Sequence, residues 1–388
     1  MVEYFFPILY FNRTPFNYIP DRCKEKKTIM RRIMICFKLV LSLCILMPLS
    51  GCWDIKDINH RAFPIAMGIT KEGEKFKVLL QIPISSEGVQ KQTIVKGTGL
   101  TILKAVEDIR TNMESSVDLL HIRIVIFDRK LVEEGGMEEP INTFMRIREI
   151  SSKTLIAICD ENIDTFFLAL KKNLEKGINL YDFFEKYAGW TPQISLTRLW
   201  HVYRALNSYT QNVAIPMVKS GENTAVTYTG TAVMKRGKIV SKMDPKETLL
   251  FNAFHGNSMK GRVEVMEHAT IMIVGNTGFH KGELRNHIPY MFSTIRLNVV
   301  VQERRGKVSN AIIKKELEKV MANRFDEMLE RFQKQETDVF GLGQYYRNKI
   351  PYEELKDWRK KYYPNLEMKL TIHTTIQNEG NIKTITDK

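Results

Sequence analysis

The residues best placed to do chemistry are Leu49-Ser50-Gly51-Cys52. An aliphatic residue, two small residues and a cysteine form a lipobox, in which the thiol takes a diacylglyceryl group and the chain is cleaved in front of it. Leu39–Met47 is apolar sequence broken only by Ser42, preceded by Arg31, Arg32 and Lys38. A basic region, a short apolar region and small residues, in that order, make a secretory signal. The expected mature protein starts at Cys52, outside the cytoplasm, held to a membrane by lipid. A membrane-spanning helix is the competing reading. Only 15 uncharged residues, Leu39 to Trp53, separate Lys38 from Asp54. As a helix they reach about 22 Å, short of the roughly 30 Å hydrocarbon core. Pro48 and Gly51 weaken the last turns. Residues before Met30 are aromatic-rich, carry Pro7, Pro15 and Pro20, and stand outside this logic. Met30, followed by Arg31-Arg32, reads as the natural start, with Met34 as an alternative.

Other chemistry is sparse. Gly341-Leu342-Gly343 has Tyr346 where a dinucleotide fingerprint needs its third glycine, and it follows a helix instead of a strand. Gly256-Asn257-Ser258-Met259-Lys260-Gly261 sets its second glycine one residue too far for a nucleophile elbow. His255, His268, His280 and His287 crowd one third of the chain with no zinc-site spacing. Glu133-Glu134, Glu138-Glu139 and Glu353-Glu354 fit charged helix starts or solvated faces better than facing catalytic carboxylates. Of five cysteines, Cys23, Cys36 and Cys44 precede the lipobox, and Cys159 sits alone in the apolar run Thr154–Cys159. It reads as a small buried hydrophobe, since a reactive thiol needs a cationic, partly exposed setting. No catalytic, cofactor or metal residue is therefore expected. The net charge of +14 leaves the mature part basic, because residues 1–51 hold eight Lys or Arg against three Asp or Glu. For an exported lipoprotein, attraction to an anionic membrane surface or plain solubility explains that charge better than nucleic acid. Trp53 either sits at headgroup level or packs into the first domain.

The positioning elements follow from periodicity. Phe63–Ile69 and Lys75–Ile84 flank Lys71-Glu72-Gly73 as a hairpin. Thr98 or Thr101 caps a helix bearing Ile102, Val106, Ile109 and Met113. Leu119–Phe127 and Lys153–Cys159 read as strands, with helices near Arg129–Glu134, Ile141–Ile147 and Asn162–Leu174. Lys176–Asn212 reads as a connecting region or as part of a middle domain. Thr224–Val233 and Lys238–Ser241 form a second hairpin, and Gly261–Val274 and Ile288–Val301 are long strands. Val308–Gln335 is the clearest element, with Ile313, Leu317, Val320, Met321, Phe325, Met328, Leu329 and Phe332 in one stripe. Its mixed-sign polar face suits packing on a sheet better than lying on a membrane. Pro351–Tyr362 is a short helix and Leu366–Gln377 a closing strand. The expected class is α+β, or mixed α/β, with two to three sheet-and-helix domains. The expected divisions are an extension and signal over 1–51, an N-terminal α/β domain over 52–200 and a C-terminal α+β domain over 201–388. A split of the last into 201–275 and 276–388 stays open.

The residues around Cys52 carry a resemblance. Leu49-Ser50-Gly51-Cys52-Trp53-Asp54 with Asp57-Ile58 resembles the start of the Ger(x)C family, the C-subunit lipoproteins of spore germinant receptors. Ala66–Ile69, His121–Ile126, Tyr228–Val233 with Gly237–Val240, and Asp338–Gly343 with Trp358 continue it in order, from about Cys52 to Lys383. Asp57 stands where the family usually has Glu, Thr70 where it often has Asp, and the stretch before Met30 is not a family feature. The resemblance implies a non-enzymatic subunit of mixed α/β fold, usually three domains. It implies anchoring by diacylglyceryl and palmitoyl chains on the outer face of the cell membrane or spore inner membrane. The implied partners are an A-type and a B-type integral membrane subunit, and the implied role is assembly and signal coupling in germination. It supplies no catalytic residues. The alternative is an extracytoplasmic solute-binding lipoprotein feeding a transporter, with two lobes closing on a cleft.

Overall fold

The computed structural model describes residues 21–46, 60–86, 89–174, 180–184, 191, 193–222, 224–257, 261–263 and 266–377. Leu49, Ser50, Gly51, Cys52 and Trp53 lie outside the described residues. Two units are distinguished, Met1–Asn59 and His60–Lys388. The first contains helix α1 (Asp21–Leu46), which runs through Met30. Among the described residues no helix is long and apolar enough to cross a membrane.

The second unit opens with β1 (Arg61–Ala62), β2 (Ala66–Glu72), β3 (Lys75–Ser86), β4 (Val89–Gly99), α2 (Ile102–Asn112), β5 (Ser116–Val117) and β6 (Ile124–Asp128). Then come α3 (Arg129–Glu133), α4 (Glu138–Arg146), β7 (Leu155–Cys159), α5 (Ile163–Leu174), α6 (Leu180–Phe184) and α7 (Leu199–Leu206). β8 (Val213–Ser220), β9 (Val226–Lys235), β10 (Lys238–Met243) and α8 (Pro245–Phe254) follow. The last part holds β11 (Gly261–Val263), β12 (Ala269–Arg285), β13 (Ile288–Arg304), α9 (Asn310–Lys334), α10 (Tyr352–Leu355) and β14 (Glu367–Ile376).

An eight-stranded mixed sheet runs β10-β9-β8-β7-β6-β2-β3-β4. Its centre is parallel, with β2 beside β6, β6 beside β7 and β7 beside β8. β6 and β7 are buried at every residue, which is why both read as unbroken apolar runs. The pleat divides them between two cores. Val125, Phe127, Ile156 and Ile158 meet α2, α3, α4 and α7 through Val106, Leu131, Phe144 and Val202. Ile124, Ile126, Leu155, Ala157 and Cys159 meet α5 and α6 through Phe166, Phe167 and Phe184. The fold is thus mixed α/β, with helices on both faces of the sheet. A smaller four-stranded sheet runs β11-β12-β13-β14, covered by α9.

Several expectations need adjustment. The strand expected from Leu119 begins at Ile124, because Asp118 caps a tight turn over Leu119–His121. The strand expected over Gly261–Val274 is divided into β11 and β12. Val320 is 37% exposed and lies on the flank of the α9 stripe, while its other seven members are buried. Edge strand β4 was not expected; its Gln90, Lys91, Gln92 and Lys96 hide the apolar alternation. β8 was not expected either, and Pro216 weakens its signal. Pairing of β8 with β7 is confined to Met217 and Val218, so the missing N–H of Pro216 falls outside that ladder. Residue 200 lies in α7, which connects the neighbouring strands β7 and β8. The change of sheet lies between Met243 and Gly261, and His60–Lys388 forms one compact unit.

β4 and α2 meet so closely that a side chain is excluded. A Cβ on Gly97 would lie 2.3 Å from the Ala105 carbonyl oxygen and 2.6 Å from Ile109 Cγ1. Gly97→Ala should therefore destabilise by about 1–3 kcal/mol through forced separation of strand and helix. A lowered denaturation midpoint with unchanged slope is expected; an unchanged midpoint would contradict this packing.

Candidate functional site

The segment resembling the C-terminal hallmark is organised by one buried carboxylate. Gln335 caps the end of α9, and Glu336 turns the chain with φ 51°. Asp338, fully buried, follows within two residues. Its Oδ1 accepts from the Leu342 N–H at 2.8 Å, and its Oδ2 accepts from the Gly343 N–H at 2.7 Å and Trp358 Nε1 at 2.9 Å. Gly341 has φ 68°, and the left-handed turn there brings the chain back so that both amides reach the carboxylate. Gly343 is needed for closeness: a Cβ there would lie 2.6 Å from Trp358 Nε1. Trp358 is wholly buried, stacked on Tyr346 at 5.1 Å and on Tyr362 at 6.1 Å.

The same loop is tied to the chain entering β8. The Asp338 carbonyl accepts from the Asn212 N–H at 2.7 Å, and Gln344 Nε2 donates to Thr210 Oγ1 at 2.6 Å. Arg359 donates from Nε to Asn212 Oδ1 and from Nη2 to the carbonyls of Ser208 and Gln211. Asn212 in turn donates to the Met234 carbonyl of β9. The loop after α9 and the mixed sheet are therefore joined by buried and part-buried polar bonds.

Beside this joint lies an open pocket of about 460 Å³. Its walls come from Ser195–Arg198, from α7 through His201 and Arg204, from Gln211–Ala214 and from the end of α8, with Val339 beside Asp338. His201 Nδ1 accepts from the Arg198 N–H at 3.2 Å. Burial, then the charges of Arg204 and Arg198, push the His201 imidazole down to about 4. It is neutral at pH 7, with its proton on Nε2. Arg204 lies over the Trp200 ring at 4.9 Å.

A second cavity of about 460 Å³ opens at the carboxyl ends of β2, β6 and β7. That edge of a parallel sheet is the usual place for a ligand. Here the charges satisfy one another. Asp160 pairs with Arg129 at 2.7 Å and Lys242 at 3.1 Å, and accepts from Thr229 at 2.7 Å. Against the desolvation that raises it, Thr229, Lys242 and Arg129 hold the Asp160 carboxyl below its ordinary value. Asp164 pairs with Lys77 and Lys96. Cys159 ends β7 fully buried, and burial pushes its thiol up to about 12, so it is inert as expected.

The four crowded histidines are not brought to one point. His280 bridges Ser293 Oγ and the Phe254 carbonyl, each at 2.9 Å, while His268 pairs with Glu316 at 3.2 Å. Sequence spacing missed that Glu267, His268 and Glu316 gather their ligand atoms within 4.8 Å. Glu316 already accepts from the Glu267 N–H at 2.7 Å. Glu133 pairs with Arg129, Glu353 with Lys356 and Glu354 with Lys361, as solvated helix charges do.

Burial pushes the Asp338 carboxyl up to about 6, outweighing its three N–H donors and the nearby Arg359 charge. The unfolded group titrates near 3.8, so the folded chain holds this proton more tightly between about pH 4 and 6. Its contribution to stability falls as pH rises through that window and is level above it. Asp338→Ala leaves three donors without their acceptor and should cost on the order of 3 kcal/mol at pH 7. The gap to the wild type should be wider at pH 4 than at pH 7. Guanidinium denaturation at both pH values measures it; a gap that is constant or grows toward pH 7 would contradict this electrostatic account.

Two family models match in tandem. The spore germination protein N-terminal domain matches residues 54–220, and the spore germination B3/GerAC-like C-terminal domain matches residues 229–380. Their junction falls at the turn between β8 and β9. Spore germination protein GerQC of Bacillus cereus is 22% identical over 361 residues, covering 88% of this chain and 98% of that protein. Spore germination protein B3 of Bacillus subtilis (strain 168) is 23% identical over 380 residues, covering 90% and 98%. The crystal structure of the GerBC protein shares the fold, with a TM-score of 0.52 at 16% identity over 80% of this chain and 97% of that one. With both models matched in order over most of its length, the chain belongs to the spore germination B3/GerAC-like family.

Proposed function

We propose that this protein is a non-catalytic, lipid-anchored subunit of a spore germinant receptor. It acts in assembly and signal coupling during nutrient-triggered germination. The observation that carries this reading is the ordered match of both family domains over residues 54–380. Its relatives named as spore germination proteins align over nearly their whole length, so the role is proposed for the complete chain. Of the cavities, the one at the strand ends holds compensated ion pairs, and in the one beside α7 His201 is neutral and, among the described residues, no cysteine or carboxylate lines it.

In this proposal Cys52 carries the anchor, with Leu49, Ser50 and Gly51 as its processing signal and translation starting at Met30. A diacylglyceryl group with a further palmitoyl chain supplies the two hydrophobic anchors that stable attachment needs, where one gives only reversible binding. The protein then stands on the outer face of the cell membrane or spore inner membrane, beside A-type and B-type integral subunits.

Cys52→Ala tests the anchor and the role together. Radiolabelled palmitate should enter the wild type and not the variant. The variant should leave the membrane fraction, and its spores should lose the nutrient response. A wild type that never takes up palmitate would overturn the anchor. Normal nutrient germination of Cys52→Ala spores would overturn the need for it. Membrane partners should co-purify with the wild type from spore membranes, and isolation of this chain alone would count against a receptor subunit.

A further inference from the structure

We infer that Glu267, His268 and Glu316 bind a divalent transition-metal ion of the zinc type, which pins the bend before β12 to α9. The inference is independent of the receptor reading. Two carboxylates and an imidazole offer oxygen and nitrogen donors, and their ligand atoms lie within 4.8 Å of one another. Imidazole suits zinc-type ions, whereas calcium and magnesium take oxygen ligands. Three protein ligands with a fourth position for water make a common zinc arrangement.

The distances fit a shared ion better than a plain ion pair. His268 Nδ1 and Glu316 Oε2 stand 3.2 Å apart. A charge-assisted N–H···O bond draws in to about 2.7–2.9 Å. Two ligands at roughly 2.0–2.1 Å from a tetrahedral ion stand about 3.3 Å from each other. The observed separation is close to that edge. On binding, the ion takes the place of the proton between Nδ1 and Oε2, and the imidazole keeps its proton on Nε2.

The backbone presents these groups together. In an extended strand, neighbouring side chains point to opposite faces. Glu267 and His268 lie in a bend instead. The Met266 N–H donates to the Ala269 carbonyl at 2.9 Å, and the Arg305 N–H, just past β13, donates to the His268 carbonyl at 2.8 Å. Glu316 comes from α9, whose buried Ile313 and Leu317 fix the rotation of the helix. Its Oε1 accepts from the Glu267 N–H at 2.7 Å, which aims the carboxylate at the bend and leaves Oε2 turned to the imidazole. Glu316 and His268 are partly withdrawn from water, and the exposed Glu267 closes the set by side-chain rotation.

The test titrates the untagged, metal-stripped full chain in detergent with zinc chloride, in a buffer that does not chelate. One ion per chain should bind. The thermal midpoint should rise by several degrees at free zinc about 100 times the Kd, and EDTA should reverse the rise. His268→Gln should weaken binding at least about tenfold. Glu316→Gln removes the charge but keeps an oxygen for the Glu267 N–H, so weaker binding there reports the ion and not the bend. Glu267→Gln, at an exposed side chain, should also weaken binding and serves if either of the others fails to fold. His373→Gln, on β14 opposite Arg296, should bind as the wild type does. Absence of saturable binding would overturn the inference, as would binding that survives all three ligand variants. Loss of binding in His373→Gln would overturn the location, and equal binding of magnesium would overturn the zinc-type assignment.

Discussion

The Asp338 carboxylate is the constraint on which the rest of the structure turns. It is wholly buried, and it is answered by three N–H donors instead of a direct ion pair. Taking a carboxylate out of water costs several kcal/mol unless its lone pairs are filled. Here one donor comes from a tryptophan 20 residues away and two from backbone that must turn left-handed to reach it. Filling the carboxylate therefore fixes the loop after α9, the ring of Trp358 and the aromatic stack around it. The carbonyl of the same residue reaches Asn212, which also meets Arg359 and β9. One residue thus ties the helix-covered small sheet to the large mixed one.

That joint explains why the run Asp338–Gly343 needs both its acid and its two glycines. Gly341 is required by a positive φ and Gly343 by the Trp358 indole, so neither can take a side chain without disturbing the carboxylate. Val339, next to Asp338, and Gln211, packed against Gly341, are also pocket-lining residues. The pocket beside α7 therefore inherits its shape from the joint.

Much of this was legible in the residues. The buried strands β6 and β7, the α9 stripe and both sequence-visible hairpins follow from period and turn chemistry. Thr101 caps α2 and Ser309 caps α9, as such residues do before an apolar run. What escaped did so for identifiable reasons. β4 is an edge strand whose polar residues mask its alternation, and Pro216 obscures β8. α8 announced itself through Asp244-Pro245-Lys246-Glu247, a capping box with proline in the first turn, and that signal was passed over. Asp338 could be noticed only as part of a pattern. Its donors lie four, five and 20 residues along the chain, and no local rule connects an aspartate to a distant indole. The pocket was invisible for the same reason, since Arg198, Arg204 and His255 converge only in three dimensions.

The most direct test of the central claim is native-state hydrogen exchange at the Leu342 and Gly343 amides and the Trp358 indole. If the carboxylate clamps the loop to the core, these three protons exchange only through opening as costly as that of β6 and β7. Exchange at the rates of an exposed loop, with β6 and β7 still protected, would contradict it.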